Sequence, residues 1–225
     1  MVKIMKTILC YGDSNTHGYD PRNGGRYQKK NRWTTILQNK LGDDYDVIPE
    51  GLNGRTTAYD RSDGIYRNGL YCLPACLHSH HPLDYVIFML GTNDCNKDLN
   101  LTSKDIALGM EKLINTTINE IKDMQEDKCK IIVVVPAAIG DNYKSSNFAY
   151  QLDENSYIKS KEIVKLYKDL CDKYNCLYLD CSDLKVAEED SEHLTLESHK
   201  QLANRLYNMI TYEKKLYVIW DNEIK

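Results

Sequence analysis

Four short segments of the sequence carry side chains that together can perform acyl transfer. Ser14, in the segment Gly12-Asp13-Ser14-Asn15, follows an apolar run and offers a hydroxyl as nucleophile. Asp190 and His193 lie three residues apart near the C-terminus, so the carboxylate can hold the imidazole Nδ1–H and leave Nε2 to accept a serine proton. Taken singly, each segment has a simpler explanation. Ser14 suits a helix N-cap, and Asp-x-x-His suits a helix start or a metal site.

Two further segments supply groups that can stabilise a negatively charged oxygen. Asn53-Gly54 comes after the second apolar run, and its glycine permits a positive φ and a close approach of the backbone to a ligand. Asn93, in Gly91-Thr92-Asn93-Asp94 after the third run, can point its amide across the strand ends toward the space above Ser14. The segments therefore contribute a nucleophile, oxyanion donors, and a base with its orienting carboxylate, which predicts an acyl-transfer site.

The elements that must position these groups are short apolar runs that alternate with helical patterns. Five runs predict buried strands at residues 7–11, 45–49, 84–90, 130–135 and 176–180. Apolar residues at helical spacing predict helices at residues 33–41, 103–121 with Ser103 as N-cap, 158–174 and 196–210. This alternation predicts a three-layer α/β/α sandwich with a five-stranded parallel, flavodoxin-like sheet. In such a sheet the loops at the carboxyl ends of the strands build the site.

The composition disfavours several classes of protein. The net charge of −4 and the lack of a Lys/Arg-rich stripe argue against a nucleic-acid partner. No signal peptide is recognisable at the N-terminus, and no run approaches the roughly 18 apolar residues that span a bilayer, so we expect a cytoplasmic protein without a membrane partner. The eight cysteines lack the C-x-x-C pairs of zinc sites and are expected to be reduced and buried. His78, His80 and His81 lack a carboxylate or cysteine at ligand spacing, so no metal site is predicted there.

Taken together, these residues resemble the SGNH (GDSL-type) hydrolase superfamily over residues 7–210. Its four blocks match Gly12-Asp13-Ser14-Asn15, Asn53-Gly54, Gly91-Thr92-Asn93-Asp94 and Asp190-Ser191-Glu192-His193, in that order. Further runs look like its arylesterase/acyltransferase branch, namely Arg32-Trp33-Thr34, Glu50-Gly51-Leu52, Arg55-Thr56-Thr57 and Asp105-Ile106-Ala107-Leu108-Gly109-Met110.

The resemblance implies a serine esterase that works through an acyl-Ser14 intermediate. It implies that His193 is the general base, that Asp190 orients it, and that the oxyanion donors are the N–H groups of Ser14 and Gly54 and the side-chain amide of Asn93. It implies no metal or organic cofactor, because the triad and the donors supply the chemistry. Acyl transfer to an alcohol and carbohydrate O-deacetylation remain alternatives. A silent binding module is disfavoured because all catalytic parts are present, and a nucleotide binder because the phosphate cradle is missing.

Departures from the family pattern bear on the substrate. Asn15 stands where GDSL sequences carry Leu, His17 and Tyr19 stand where the arylesterase branch is more aromatic, and Glu192 stands where it favours an apolar residue. We therefore expect a polar pocket and a small-molecule substrate, a short acyl ester of a polar alcohol such as an acetylated sugar. Asn15, His17 and Glu192 could instead be solvated rim residues. The candidate substrate-binding residues are Asn15, His17, Tyr19, Asn53, Cys95, Glu192 and Leu194.

The remaining expectations concern support and assembly. Asp13 and Asp94 are expected to brace loops through backbone hydrogen bonds, and Arg55 to form a structural salt bridge in preference to binding a substrate carboxylate. The 225 residues suit one domain, with residues 1–212 as the hydrolase domain. Residues 213–225 would extend that domain as an edge strand or as a contact in a homo-oligomer.

Overall fold

Five parallel strands form the central sheet of the protein. The structure, a computed structural model, describes residues 5–125 and 129–223, with side chains described as far as residue 212. The strands are β1 (Lys6–Gly12), β2 (Tyr45–Gly51), β3 (Tyr85–Met89), β4 (Lys130–Val135) and β5 (Leu177–Asp180). They lie side by side in the order β2-β1-β3-β4-β5, all parallel. This is the predicted flavodoxin-like order, in which the strand order reverses between β1 and β3.

In the described part of the chain, six helices pack around the sheet. They are α1 (Ser14–His17), α2 (Trp33–Leu41), α3 (Gly69–His80), α4 (Ser103–Met124), α5 (Glu154–Tyr174) and α6 (Leu196–Glu223). Short 3-10 turns occupy Lys29–Asn31, Gly42–Asp44, Ile65–Arg67, Asn93–Cys95, Lys97–Leu99 and Tyr143–Ser145, and a small antiparallel ladder pairs Tyr19–Asp20 with Gly25–Arg26. None of the helices in the described part of the chain is long and apolar enough to cross a membrane.

Alternate residues of each strand enter two separate hydrophobic cores. On β1, Leu9 and Tyr11 pack with α3, α4 and α5, whereas Ile8 and Cys10 pack with α2 and α6. Because side chains of a strand alternate between the two faces, a strand that is apolar at every position must be covered on both sides. The continuous apolar runs therefore predicted burial on both faces correctly for the three central strands.

The two edge strands are less buried than the sequence suggested. All four residues of β5 are half-buried or exposed, and on β2 only Tyr45 and Val47 are buried. An edge strand has only one neighbour in the sheet, and its outer flank is open to solvent. The apolar run at residues 176–180 thus marked a strand correctly but overstated its burial.

The start of α4 differs from the prediction by one residue. Thr102, not Ser103, is the N-cap: its Oγ1 accepts a hydrogen bond from the N–H of Asp105 at 3.2 Å, and Asp105 Oδ2 accepts one from the N–H of Thr102 at 2.8 Å. This reciprocal pair requires that the N-cap residue precede Asp105 by three positions, which is the position of Thr102. Ser103 therefore lies inside the helix.

The prediction of an edge strand within residues 213–225 is wrong. The backbone of α6 continues from Leu196 to Glu223. No glycine or proline occurs in that stretch to end the helix, so helical continuity overrides the β-propensity of residues 216–220. Residues 224 and 225 lie outside the described residues, and an oligomer contact through this segment stays a prediction.

The backbone of β2 at Gly51 packs directly against α1, the short helix that begins with Ser14. A Cβ placed on Gly51 would lie 2.1 Å from the backbone N of His17 and 2.5 Å from the carbonyl carbon of Thr16. Backbone atoms cannot swing aside as a side chain can, so we expect Gly51→Ala to lower the free energy of unfolding by about 1–3 kcal/mol. Urea denaturation measures this loss.

The matched control is Gly25→Ala, because a Cβ there would first meet the flexible side chain of Asn23. Equal stability of the two variants would contradict the close backbone packing between Gly51 and α1.

Candidate active site

Ser14 lies immediately beyond the carboxyl end of β1. Asp13 is the N-cap of α1, and its Oδ1 accepts a hydrogen bond from the N–H of Asn15 at 2.9 Å. A Cβ on Gly12 would meet Thr16 Oγ1, so only glycine permits this tight exit from the strand. Ser14 is therefore the first residue of the helix, where its N–H has no intrahelical acceptor and is available to a ligand.

His193 and Asp190 complete a chain of hydrogen bonds to Ser14. The distance from Ser14 Oγ to His193 Nε2 is 2.7 Å, and that from His193 Nδ1 to Asp190 Oδ2 is also 2.7 Å. Asp190 Oδ1 accepts hydrogen bonds from the N–H groups of Glu192 and His193, each at 3.0 Å. The intervening Ser191 has a φ of 62°, which folds the loop back so that one carboxylate holds both the ring and its backbone. The structure thus brings together the three residues predicted as a triad.

Burial and hydrogen bonding shift the pKa values of Asp190 and His193 in opposite directions. Burial tends to raise the pKa of Asp190, but its hydrogen bonds and the charge of His193 outweigh burial and hold the pKa below its usual range. Burial tends to lower the pKa of His193, but the hydrogen bond to Asp190 and the nearby negative charges raise it above its usual value. The site therefore favours the ion pair that forms when His193 takes a proton.

Aromatic rings cover the imidazole. The ring centroid of Tyr19 lies 4.2 Å from that of His193, and the centroid of Phe148 lies 5.7 Å from it. These rings restrict the orientation of the imidazole and shield its hydrogen bond to Ser14 from water.

Gly54 and Asn93 line the same small cavity as Ser14. Gly54 has a φ of 77°, which favours glycine. Asn93 begins the 3-10 turn after β3, and its Nδ2 donates a hydrogen bond to the carbonyl of Arg55 at 3.1 Å. A side-chain amide has two hydrogens, so one remains after this bond to meet a substrate oxygen. The loops after β1, β2 and β3 meet at the predicted edge of the sheet.

Three further carboxylates are buried around the site. Burial raises the pKa of Asp13 to about 7 and that of Asp94 to about 6, and it also raises the pKa of Glu192. Asp94 accepts hydrogen bonds from the N–H and Oγ1 of Thr57 at 3.0 and 2.5 Å, so both Asp13 and Asp94 brace loops as expected.

The cavity above Ser14 has a volume of about 200 Å³. Its lining combines aromatic rings with polar and charged side chains. Its lining residues are Ser14, Tyr19, Asn53, Gly54, Arg61, Asp63, Arg67, Asn93, Phe148, Tyr150, Gln151, Glu192 and His193. Of the predicted substrate-binding residues, Tyr19, Asn53 and Glu192 therefore line the cavity.

The other four predicted substrate-binding residues lie elsewhere. Asn15 is buried, and its side chain accepts a hydrogen bond from the N–H of Leu194 at 2.8 Å and donates one to the carbonyl of Glu192 at 3.4 Å. Leu194 packs in the core under α2 and α6, and Cys95 is fully buried in the core of the other face. His17 ends α1 outside the cavity lining.

Sequence reasoning missed six lining residues, and they come from two loops. Arg61, Asp63 and Arg67 precede α3, and Phe148, Tyr150 and Gln151 precede α5. None of them directly follows a strand, which was the signal used to find the site. The charged run Asp60-Arg61-Ser62-Asp63 was the available hint for the first group.

Arg55 and the histidine cluster have structural contacts. Arg55 donates to the carbonyls of Gly12 and Glu50, and its guanidinium lies 4.0 Å from the ring centroid of Tyr11. Carbonyl groups hold one end of the guanidinium, whereas Nε is buried without a hydrogen-bond partner. Among the residues that the structure describes, no carboxylate pairs with Arg55, so the predicted salt bridge is not found there. His80 Nε2 lies 3.0 Å from a carboxylate oxygen of Glu50, well away from the cavity lining.

The chain matches the GDSL-like lipase/acylhydrolase family over residues 10–201. It is similar to a solved carbohydrate acetylesterase family member from Sinorhizobium meliloti, with 37% identity and a TM-score of 0.86 over 92% of this chain and 97% of that one. It is also similar to the aryl esterase of M. smegmatis, with 32% identity and a TM-score of 0.83 over 92% and 99% of the two chains. A second carbohydrate acetylesterase from S. meliloti is 33% identical, with a TM-score of 0.81 over 92% and 99%. No curated protein matches the chain significantly.

The buried carboxyl group of Asp13 predicts a dependence of stability on pH. Its pKa is about 7 in the folded protein, against an ordinary value of 3.8. A raised folded-state pKa gives stability that is present at low pH and is lost as the pH rises from about 4 to about 7. We expect Asp13→Asn to remove this loss, so that its Tm relative to the wild type increases across that range and then levels off.

Thermal unfolding of both proteins at pH 4 to 8 measures the difference. A constant difference in Tm over this range would show that the carboxyl group of Asp13 has an ordinary pKa in the folded protein.

Proposed function

This chain belongs to the GDSL-like lipase/acylhydrolase family and is an ester-hydrolysing serine esterase, and we propose that Ser14, His193 and Asp190 are its catalytic triad. The observation that carries this proposal is the continuous chain of hydrogen bonds, each 2.7 Å long, from Ser14 Oγ through the imidazole to Asp190. This arrangement supplies a nucleophile, a base and an orienting carboxylate in contact.

In the first step, Ser14 Oγ attacks the ester carbonyl carbon while His193 Nε2 takes the hydroxyl proton. Asp190 stays ionised and stabilises the imidazolium that results. The carbonyl π electrons move onto oxygen, giving a tetrahedral oxyanion. When the oxyanion collapses, the bond to the alcohol oxygen breaks and His193 returns its proton to the leaving alcohol, which leaves an acyl-Ser14 ester.

The oxyanion is stabilised by three donors that the cavity holds in place. They are the N–H groups of Ser14 and Gly54 and the free amide hydrogen of Asn93. Donors that are fixed before the reaction cost no reorganisation when charge develops. The buried position of Asn93, 8% exposed, strengthens its contribution because water does not compete.

The second step repeats the first with water as nucleophile. His193 takes a proton from water, hydroxide attacks the acyl carbon, and collapse of the second tetrahedral intermediate breaks the bond to Ser14 Oγ. His193 gives the proton back to Ser14, and the carboxylic acid leaves. An alcohol can replace water here, but no observation favours transfer over hydrolysis.

The substrate that the cavity fits best is a short acyl ester of a polar alcohol, such as an acetylated sugar. The cavity is small, about 200 Å³, and such a volume has little room for a long acyl chain beside the alcohol. The lining contains the aromatic rings of Tyr19, Phe148 and Tyr150 beside polar and charged side chains. Such a lining suits a sugar, which offers C–H groups to aromatic rings and hydroxyl groups to polar side chains. The two similar carbohydrate acetylesterases support the same class of substrate.

The division of roles between Ser14 and Asn93 is directly testable. We expect Ser14→Ala to abolish both ester hydrolysis and labelling by an organophosphonate, because the nucleophile is gone. Asn93→Ala retains the nucleophile, so it should still be labelled, while kcat falls by about 10²–10³-fold through the loss of one oxyanion donor. Intact mass and steady-state kinetics measure the two effects.

Asn115→Ala is the matched control, because the Asn115 side chain donates a hydrogen bond to Tyr174 Oη and neither residue lines the cavity. Labelling of Ser14→Ala at the wild-type rate would refute the assignment of the nucleophile.

Acyl chain length provides the second test. For 4-nitrophenyl esters, kcat/KM should fall at least about tenfold between the acetyl and octanoyl esters, because the cavity walls exclude the longer chain. The leaving group is the same throughout the series, so the ratio reports the acyl pocket alone. A rise in kcat/KM with chain length would reject the short-acyl proposal.

A further inference from the structure

The segment between β2 and α3 places two guanidinium groups and one carboxylate on the polar wall of the cavity. Arg61 Nε lies 3.1 Å from Asp63 Oδ1, and Arg61 Nη2 lies 3.3 Å from Asp63 Oδ2. Arg67 Nη1 lies 2.9 Å from the same Oδ2. All three side chains also line the cavity above Ser14.

The charges on this wall do not balance. One carboxylate faces two permanently charged guanidinium groups, so the cluster carries one net positive charge. Both oxygens of Asp63 are already occupied, while each arginine keeps N–H groups with no acceptor among the described residues. The wall therefore has a surplus of donors and of positive charge at the place where substrate must lie.

Arg67 packs closely beside the proposed oxyanion donor Gly54. A Cβ placed on Gly54 would lie 2.3 Å from Arg67 Nη1 and 3.1 Å from its Cζ, so the guanidinium packs directly on the glycine. The carbonyl of Arg67 accepts a hydrogen bond from the N–H of Thr56 at 2.9 Å, which anchors the backbone two residues beyond Gly54. The Arg67 guanidinium is thus held beside Gly54 at the cavity wall, and its side chain is only 26% exposed.

The other acidic groups near the cavity do not neutralise this wall by contact. Glu192 is buried, its Oε2 accepts a hydrogen bond from Gln151 at 3.4 Å, and burial favours its neutral form. Asp94 is engaged by Thr57. Among the residues that the structure describes, no ion pair joins either acid to Arg61 or Arg67.

We propose that Arg67 and Arg61 select esters whose alcohol portion carries an anionic group, a carboxylate or a phosphate, and that Asp63 occupies this subsite until the substrate enters. The inference rests on the proposed function and narrows its substrate class from polar alcohols to acidic ones. The aromatic wall holds the body of the alcohol, and the guanidinium groups hold its anion. Arg67 is a specificity-determining residue and takes no part in proton transfer.

The test uses two acetyl esters with para substituents of nearly the same shape, the anionic 4-acetoxybenzoate and the neutral 4-acetoxybenzamide, and compares their kcat/KM ratio between wild type and variants so that the different leaving-group reactivity cancels. The wild type should prefer the benzoate in kcat/KM by about tenfold, as expected for a charge-assisted hydrogen bond. Arg67→Gln should remove this preference. Asp63→Asn should increase it, because the competing carboxylate is gone. A merely structural role for the cluster would not shift the two variants in opposite directions.

Arg205→Gln is the matched control, because Arg205 forms an exposed bidentate pair with Asp183 outside the cavity, and it should keep the wild-type preference. A wild-type enzyme that hydrolyses both esters equally, or that prefers the amide, overturns the anionic subsite while leaving the esterase assignment intact. Failure to hydrolyse either ester would count instead against the proposed function. 4-Acetoxyphenyl phosphate, run in parallel, distinguishes a phosphate from a carboxylate as the preferred anion.

Discussion

The structure depends most on one hydrogen bond, from Ser14 Oγ to His193 Nε2, which joins residues 179 positions apart in the chain. A single bond of this kind contributes only about 1 kcal/mol net, so it cannot by itself hold two loops together. Asn15 reinforces it, since its side chain contacts the backbone on both sides of His193, at Glu192 and Leu194. The residue after the nucleophile thus clamps the loop that carries the base, and we infer that Asn15 is a positioning residue.

The second constraint is the cluster of buried carboxyl groups around the site. Asp13, Asp94, Asp190 and Glu192 are all buried within the same region. Negative charge on Asp190, Glu192 and Asp13 favours the imidazolium of His193, which helps the first chemical step. Burial, however, disfavours the ionised form of Asp13, Asp94 and Glu192. Stability and catalysis therefore make opposite demands on these carboxyl groups near neutral pH.

The sequence predicted the sheet and the triad because both leave strong local signals. Continuous apolar runs identify buried parallel strands, and catalytic groups that directly follow strands must meet at one edge of the sheet. The helix α3 was missed because it begins at Gly69 and contains Pro74, two residue types typical of turns.

The cavity walls were missed for a different reason: Arg61, Arg67 and Phe148 lie in loops whose paths are set by tertiary contacts. Asn15 and Cys95 were misassigned because adjacency in sequence to Ser14 or Asn93 does not fix the direction of a side chain. The position of a residue in the sequence thus identified the loop or helix that carries it, but not the direction of its side chain.

The position of Gly54 links catalysis to the choice of substrate. A positive φ and the absence of a Cβ let its N–H face the oxyanion and also let Arg67 pack on its other side. The same glycine therefore serves the reaction common to the family and a charged wall formed by this chain's own loop. Because the guanidinium touches the oxyanion loop directly, an anion that draws Arg67 toward the substrate also reorders the contact beside Gly54. Selection by charge would then act on kcat as well as on KM, since the donor that stabilises the transition state and the group that recognises the alcohol are in van der Waals contact.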